Sequence, residues 1–341
     1  KKRINPFSVA GGHIDYANHL IEGLWTALAG YEQRKAVVSH KGTVDYVTGI
    51  SNEEIWPGTK IYKPITVKAT LTGEADGYKA INQAGRYYAF AFMELAYKKG
   101  WFYERYKETN YKHNDAMEEF LMSGLSGYAK IAGHIEGSYW YNEAESYNLF
   151  EDYKGASGTD TIKNIGYWQM PTTWGDEVVT GENNARPGTM MNGPTSMMLI
   201  NGNIKTNAGL VRACKEFLKF LCTEQELKNF TACTGVAKAL FEYEIDDSVL
   251  SQLDPYQKRI MTLKATRPVV NQYGTSALYR AKAGYMMYSA VASGYQPVFG
   301  GAKYQTPLEA YYRASKNAWQ CFEQTGFTQE RWNTEVLQID S

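Results

Sequence analysis

The stretch Val211-Arg212-Ala213-Cys214-Lys215-Glu216-Phe217-Leu218-Lys219-Phe220-Leu221-Cys222-Thr223-Glu224-Gln225-Glu226 decides how this chain is read. Val211, Cys214, Phe217, Leu218 and Leu221 recur at three- and four-residue spacing, the period of a helix with one apolar face. Thr206 or Asn207 stands where such a helix needs a side-chain cap. Thr223 and Glu226 have the spacing of a capping box, so a second helix is predicted through Phe230, finishing near Thr234-Gly235. Two capped helices in succession between candidate strands point to an α/β unit.

The flanking sequence has the same alternation. Ile81, Ala84, Tyr88, Phe92 and Leu95 predict a helix over 79–99, stopped by Gly100. Met117, Phe120 and Leu121 share one face of a short helix from about Asn114, closed by Gly124. Residues 128–135, 165–170 (ended by Pro171) and 197–200 read as strands. Residues 276–292 and 307–322 read as helices, the second opened by Thr306-Pro307. The stretches 41–76 and 147–163 are rich in Gly, Thr and charge and read as insertions or hairpins.

Composition narrows the function. A chain of 341 residues exceeds what one core usually fills, so two packed units are expected. Lys+Arg and Asp+Glu balance at 36 each, which leaves no basic excess to displace counterions from a nucleic acid. No run of 18 apolar residues exists, so no stretch is long enough to span a bilayer as a helix. The basic start, Lys1-Lys2-Arg3, is followed by no apolar core of a signal peptide. Tyr (27) and Trp (8) together far outnumber Phe (13). Such rings pair a flat apolar face with a polar tip, which suits ligands whose C–H faces stack while their hydroxyls need hydrogen bonds. Cys214 and Cys222, eight apart on one predicted helix, lie about 12 Å apart, too far to bridge. Buried free thiols are expected for the cysteines.

The search for catalysis returns nothing. His13, His19, His40, His113 and His134 form no metal-binding spacing, and no nucleophile elbow or phosphate loop occurs. Glu143 and Glu145, at i and i+2, read as surface charge rather than a hydrolytic pair. Asn229-Phe230-Thr231 matches a glycosylation sequon but falls inside a predicted helix. No catalytic residue, metal or cofactor is expected.

The order of elements resembles family 1 extracellular solute-binding proteins, the maltose-binding protein superfamily. Gly166-Tyr167-Trp168-Gln169-Met170-Pro171 is similar to that family's strand-to-proline step. Ala213 to Leu221 with Thr223-Glu224-Gln225-Glu226 behind it resembles the signature of its helix pair, and Thr234-Gly235 with Ala237 and Ala239 resembles the turn that follows. Phe120, Gly124 and Gly137-Ser138-Tyr139-Trp140 resemble an upstream segment, and Thr306-Pro307-Leu308-Glu309-Ala310 the start of the terminal helix. Two departures stand out: Tyr128-Ala129 replaces the family's usual pair, and the spacing to Trp140 is looser.

The resemblance implies an α/β fold of the periplasmic-binding-protein-like type II, two lobes with hinge crossings, and places residues as follows. Residues 1–196 form the first part of a C-terminal lobe, with insertions at 41–76 and 147–163. Residues 197–244 return to the N-terminal lobe, and 245–341 supply the closing helices of the C-terminal lobe. The family has more than a hundred residues before the point matched by Lys1, so an incomplete first lobe is expected. The implied role is capture of a carbohydrate, an oligosaccharide in particular, and its delivery to the membrane permease of an ABC importer. The protein would work as a monomer, extracellular or periplasmic or as a cell-surface lipoprotein. By position, Tyr139, Trp140, Tyr279, Tyr16 and Trp174 are the stacking candidates, and Asp15 and Asn142 the hydrogen-bonding ones. Trp25, among Leu24, Ala27 and Leu28, reads as core. Two alternatives stay open: another solute such as a peptide or polyamine, and a glycoside hydrolase. A charged ligand needs a compensating buried charge near the rings, and the sequence places none there.

Overall fold

A computed structural model describes residues 3–11, 14–39, 41–72, 79–80, 82–108, 110–167, 170, 188–193, 198–238, 241–271, 306–309 and 311. The fold is mixed α/β. Strand β1 (Ile4–Ser8) pairs in parallel with β4 (Lys130–His134), from Ile4 opposite Lys130 to Ser8 opposite His134. The other edge of β1 is met by a bridge to Phe102, with Phe7 N donating to Trp101 O (3.0 Å) and Tyr103 N to Phe7 O (2.7 Å). β1 therefore has neighbours on both edges, and the main-chain groups of Phe7 are satisfied on the second one.

Helix α1 (Ile14–Ser39) follows β1 and is broken at Gly30, whose φ of 77° only glycine adopts without strain. β2 (Gly42–Glu54) and β3 (Tyr62–Leu71) form an antiparallel hairpin. Helix α2 (Ala84–Lys99) starts where the Gln83 side chain accepts from Arg86 N, and it ends at Gly100 in the left-handed region. The first core lies where α1, α2 and the hairpin meet. Leu24, Trp25, Val44, Leu71, Tyr87 and Phe90 are buried there, each apolar side chain contributing about 1.5–3 kcal/mol. Polar side chains fix the angles: Gln83 accepts from Trp25 Nε1 (2.6 Å) and donates to Gln33 Oε1 (2.7 Å), and Gln33 in turn binds Asp45 of the hairpin. Buried Arg34 pairs with Glu22, donates to Thr26 Oγ1 (3.2 Å) and lies 3.9 Å above the Trp25 ring, so its charge is compensated.

A second core joins α3 (His113–Leu121), α4 (Trp140–Ser146), α5 (Leu149–Ser157) and α9 (Pro255–Thr266). Met117, Trp140, Phe150, Tyr256 and Ile260 fill it. β5 (Met190–Asn192) pairs in parallel with β6 (Val269–Asn271). Helices α6 (Ala208–Leu221) and α7 (Glu224–Thr234) form the predicted pair, followed by the short α8 (Asp247–Leu250). No described helix is long and apolar enough to cross a membrane.

Several expectations need correction. The 41–76 segment holds the β2–β3 hairpin over its described residues, but 147–163 contains helix α5, entered through Asn148 in the left-handed region. Ile165, Gly166 and Tyr167 join no ladder. Residues 198–200 are irregular, with Leu199 87 % exposed. A short apolar run becomes a strand only when it finds a neighbour, and the local pairing is taken by β5 and β6. Asn207 caps α6 as expected, accepting from Leu210 N at 3.0 Å. Thr223 caps nothing: its hydroxyl donates to Phe220 O (2.8 Å), satisfying a carbonyl that the end of α6 leaves open. Thr306 instead forms a reciprocal box with Glu309 (3.0 and 3.3 Å). The described cysteines are not buried: Cys222 and Cys233 are exposed, and Cys214 is half-buried on α6, which buries none of its residues. The predicted helix at 276–292, the one at 307–322 beyond Tyr311, and Cys321 lie outside the described residues.

Candidate functional site

In an open α/β arrangement the chain turns away from the sheet at the carboxyl ends of parallel strands, which leaves a crevice there. β1 ends at Ser8 and β4 at His134, tied by Ser8 Oγ and His134 Nδ1 at 2.8 Å. From Ser8 the chain enters α1 and presents Tyr16 and His19. From His134 it passes Glu136 and Gly137 into α4, presenting Tyr139 and Glu143. The first residue of α3, His113, comes from a third side, and Tyr147 follows α4.

These side chains meet. His19 Nε2 lies 3.2 Å from the Tyr139 hydroxyl, and the rings stand at 74° with centroids 6.4 Å apart. Tyr16 is edge-on to His19 (5.5 Å) and parallel to His113 (6.1 Å, 7°). His113 Nε2 reaches the Tyr147 hydroxyl at 3.3 Å. Tyr139 takes its place because residue 137 is glycine: a Cβ there would lie 2.2 Å from the Tyr139 ring.

Two carboxyl groups complete the cluster. Glu136 accepts from Gly137 N (2.7 Å) and from the Tyr16 hydroxyl, yet its Oε1 is buried without a hydrogen-bond partner. The same holds for Glu143 Oε2. Burial, opposed by the Gly137 amide and reinforced by Glu143, pushes the Glu136 carboxyl up to about 8. Burial also raises Glu143, while His113 pulls it back. The Tyr16 phenol is driven well above its ordinary value by burial and by Glu136. The arrangement is an aromatic wall with two carboxyl oxygens that have no protein partner, suited to holding a ring-bearing ligand.

The sequence-predicted residues divide accordingly. Tyr16 and Tyr139 come together here. Trp140 is only 4 % exposed, donates to the Tyr256 hydroxyl (2.5 Å) and stands edge-on to Tyr256 and Phe120 in the second core. Asn142 donates to Thr234 O and accepts from Gln257 Nε2 (3.1 Å), fastening α4 to α7 and α9. The backbone of Asp15 lies in the first turn of α1, and its side chain, like Trp174 and Tyr279, lies outside the described residues. Glu143 and Glu145 diverge, the first half-buried in the cluster and the second exposed. Trp25 is core, 2 % exposed. Sequence reasoning missed Glu136, His19, His113 and Tyr147. For Glu136 a signal existed: it stands just past a predicted strand, where parallel strands deliver their functional groups.

No protein-family model matches this chain, and no curated protein matches it. A solved structure of a chitin oligosaccharide binding protein is similar, with 15 % sequence identity and a TM-score of 0.48. The similarity covers 94 % of this chain and 61 % of that one, so the chain spans about three fifths of that neighbour's length.

Proposed function

We propose that this chain is the carbohydrate-binding component of an importer, holding an oligosaccharide outside the membrane and presenting it to a permease. The observation that carries the reading is the convergence of Tyr16, His19, Tyr139 and His113 with Glu136 and Glu143 at the carboxyl ends of β1 and β4. Rings stack on the apolar faces of a sugar, and the open carboxyl oxygens take its donors. The delivery role, the two-lobed type II arrangement, the monomeric state and the extracellular location rest on the order of motifs along the sequence. Calorimetric titration with a panel of oligosaccharides tests the reading, with intrinsic fluorescence read alongside. Micromolar binding is expected, weakened about tenfold or more by Tyr139→Ala. No heat and no fluorescence change across the panel overturns it.

A second reading, a glycoside hydrolase, draws on Glu136 and Glu143 as neighbouring carboxyls with raised proton affinity. Chromatography of the same mixtures decides it: shortened products that disappear in Glu136→Gln favour hydrolysis, and intact sugars dispose of it.

A further inference from the structure

We infer that this site takes a sugar carrying an ammonium group, seated between Glu136 and Glu143 beside the rings of Tyr16 and Tyr139. The inference rests on the carbohydrate reading above and narrows its substrate class. Its starting point is a mismatch in hydrogen bonding. Glu136 Oε1 and Glu143 Oε2 are both buried and both lack a donor. With both carboxyls ionised, a sugar hydroxyl brings one donor and satisfies one of them. An ammonium brings three donors and a charge, enough for both oxygens with one to spare.

The charges around the pair lead to the same ligand. The groups facing the two carboxyls are Tyr16 from α1, His113 from α3 and Tyr256 from α9, with Tyr139 from the start of α4 beside Tyr16. No lysine or arginine among the described residues acts on either carboxyl. The two carboxyls, Glu136 largely buried and Glu143 half-buried, have no fixed cation and hold a proton between them at neutral pH, since ionising both leaves uncompensated charge. An incoming ammonium replaces that proton, which passes to solvent as the carboxylate forms. Nearby phenol rings add the attraction of a π face for a cation. The compensating buried charge that a cationic ligand requires is thus present, and it stands against the rings.

Three trimers sharing one linkage, of glucose, glucosamine and N-acetylglucosamine, test this. They are titrated calorimetrically in mildly acidic buffers of differing ionisation enthalpy. The glucosamine trimer is expected to bind about tenfold or more tighter than both neutral trimers, with release of a proton. Glu136→Gln and Glu143→Gln should abolish the preference and the release, while Glu145→Gln, on the exposed face of the same helix, keeps both. Circular dichroism confirms that each variant is folded. Equal binding of the three trimers, or tighter binding of a neutral one, overturns the ammonium inference and leaves the carbohydrate reading intact. Silence from all three, in a folded wild-type protein, removes both.

Discussion

Among single residues, Glu136 has the largest consequence for behaviour in solution. Its carboxyl titrates near 8 in the folded protein and at its ordinary value of 4.5 in the unfolded chain, with burial as the chief cause. The folded state therefore holds the proton more tightly. The resulting stabilisation is complete below about pH 4.5 and is lost as pH rises through about 8. Glu136→Gln keeps the shape without the ionisation. Chemical denaturation across that window should show wild-type stability falling by roughly 3–5 kcal/mol relative to the variant; parallel curves would contradict the burial of this group. Tyr16 and Tyr139 were legible as ligand candidates because an aromatic residue advertises its chemistry. Glu136 was not, since a carboxylate in sequence reads as surface charge until its burial is known. Trp140 illustrates the opposite case: the indole that invited a ligand role is engaged by Tyr256, a partner that packing alone brings near.

Among elements, legibility followed the presence of local signals. Helix α2 carries its period and its stop in the sequence, and Gly100 stands where expected, at φ 60°. Gly100→Ala places a Cβ in the left-handed region and 3.1 Å from the Arg3 guanidinium. A loss of about 1 kcal/mol is expected, read as a lowered denaturation midpoint with an unchanged slope. The hairpin of β2 and β3 was equally readable from its Gly- and Thr-rich composition. The strands expected at 165–170 and 197–200 depended on neighbours that no local pattern specifies. Thr223 shows a finer limit, because its spacing to Glu226 fits a capping box while the preceding helix end competes for the same hydroxyl.

At the scale of the whole molecule, two cores flank the strand pair, and α6 lies outside both. Leu210, Phe217 and Phe220 of that helix are about half exposed. Apolar side chains that bury little on folding stabilise little, so Phe217→Ser with Phe220→Ser should leave unfolding free energy within about 0.5 kcal/mol. A loss of several kcal/mol would mean that this face is packed. Sequence periodicity located the amphipathic helix but could not say whether its apolar side is covered, because period describes the helix and not its surroundings. The pairing of β1 with β4 carries a kinetic consequence. Ser8 and His134 are 126 positions apart, so closing that contact costs loop entropy before any reward arrives, whereas the hairpin and the α1–α2 contacts are more local. The crevice at the strand ends is therefore assembled late in folding, and a nascent chain cannot form it until residue 134 and the helix after it have been synthesised.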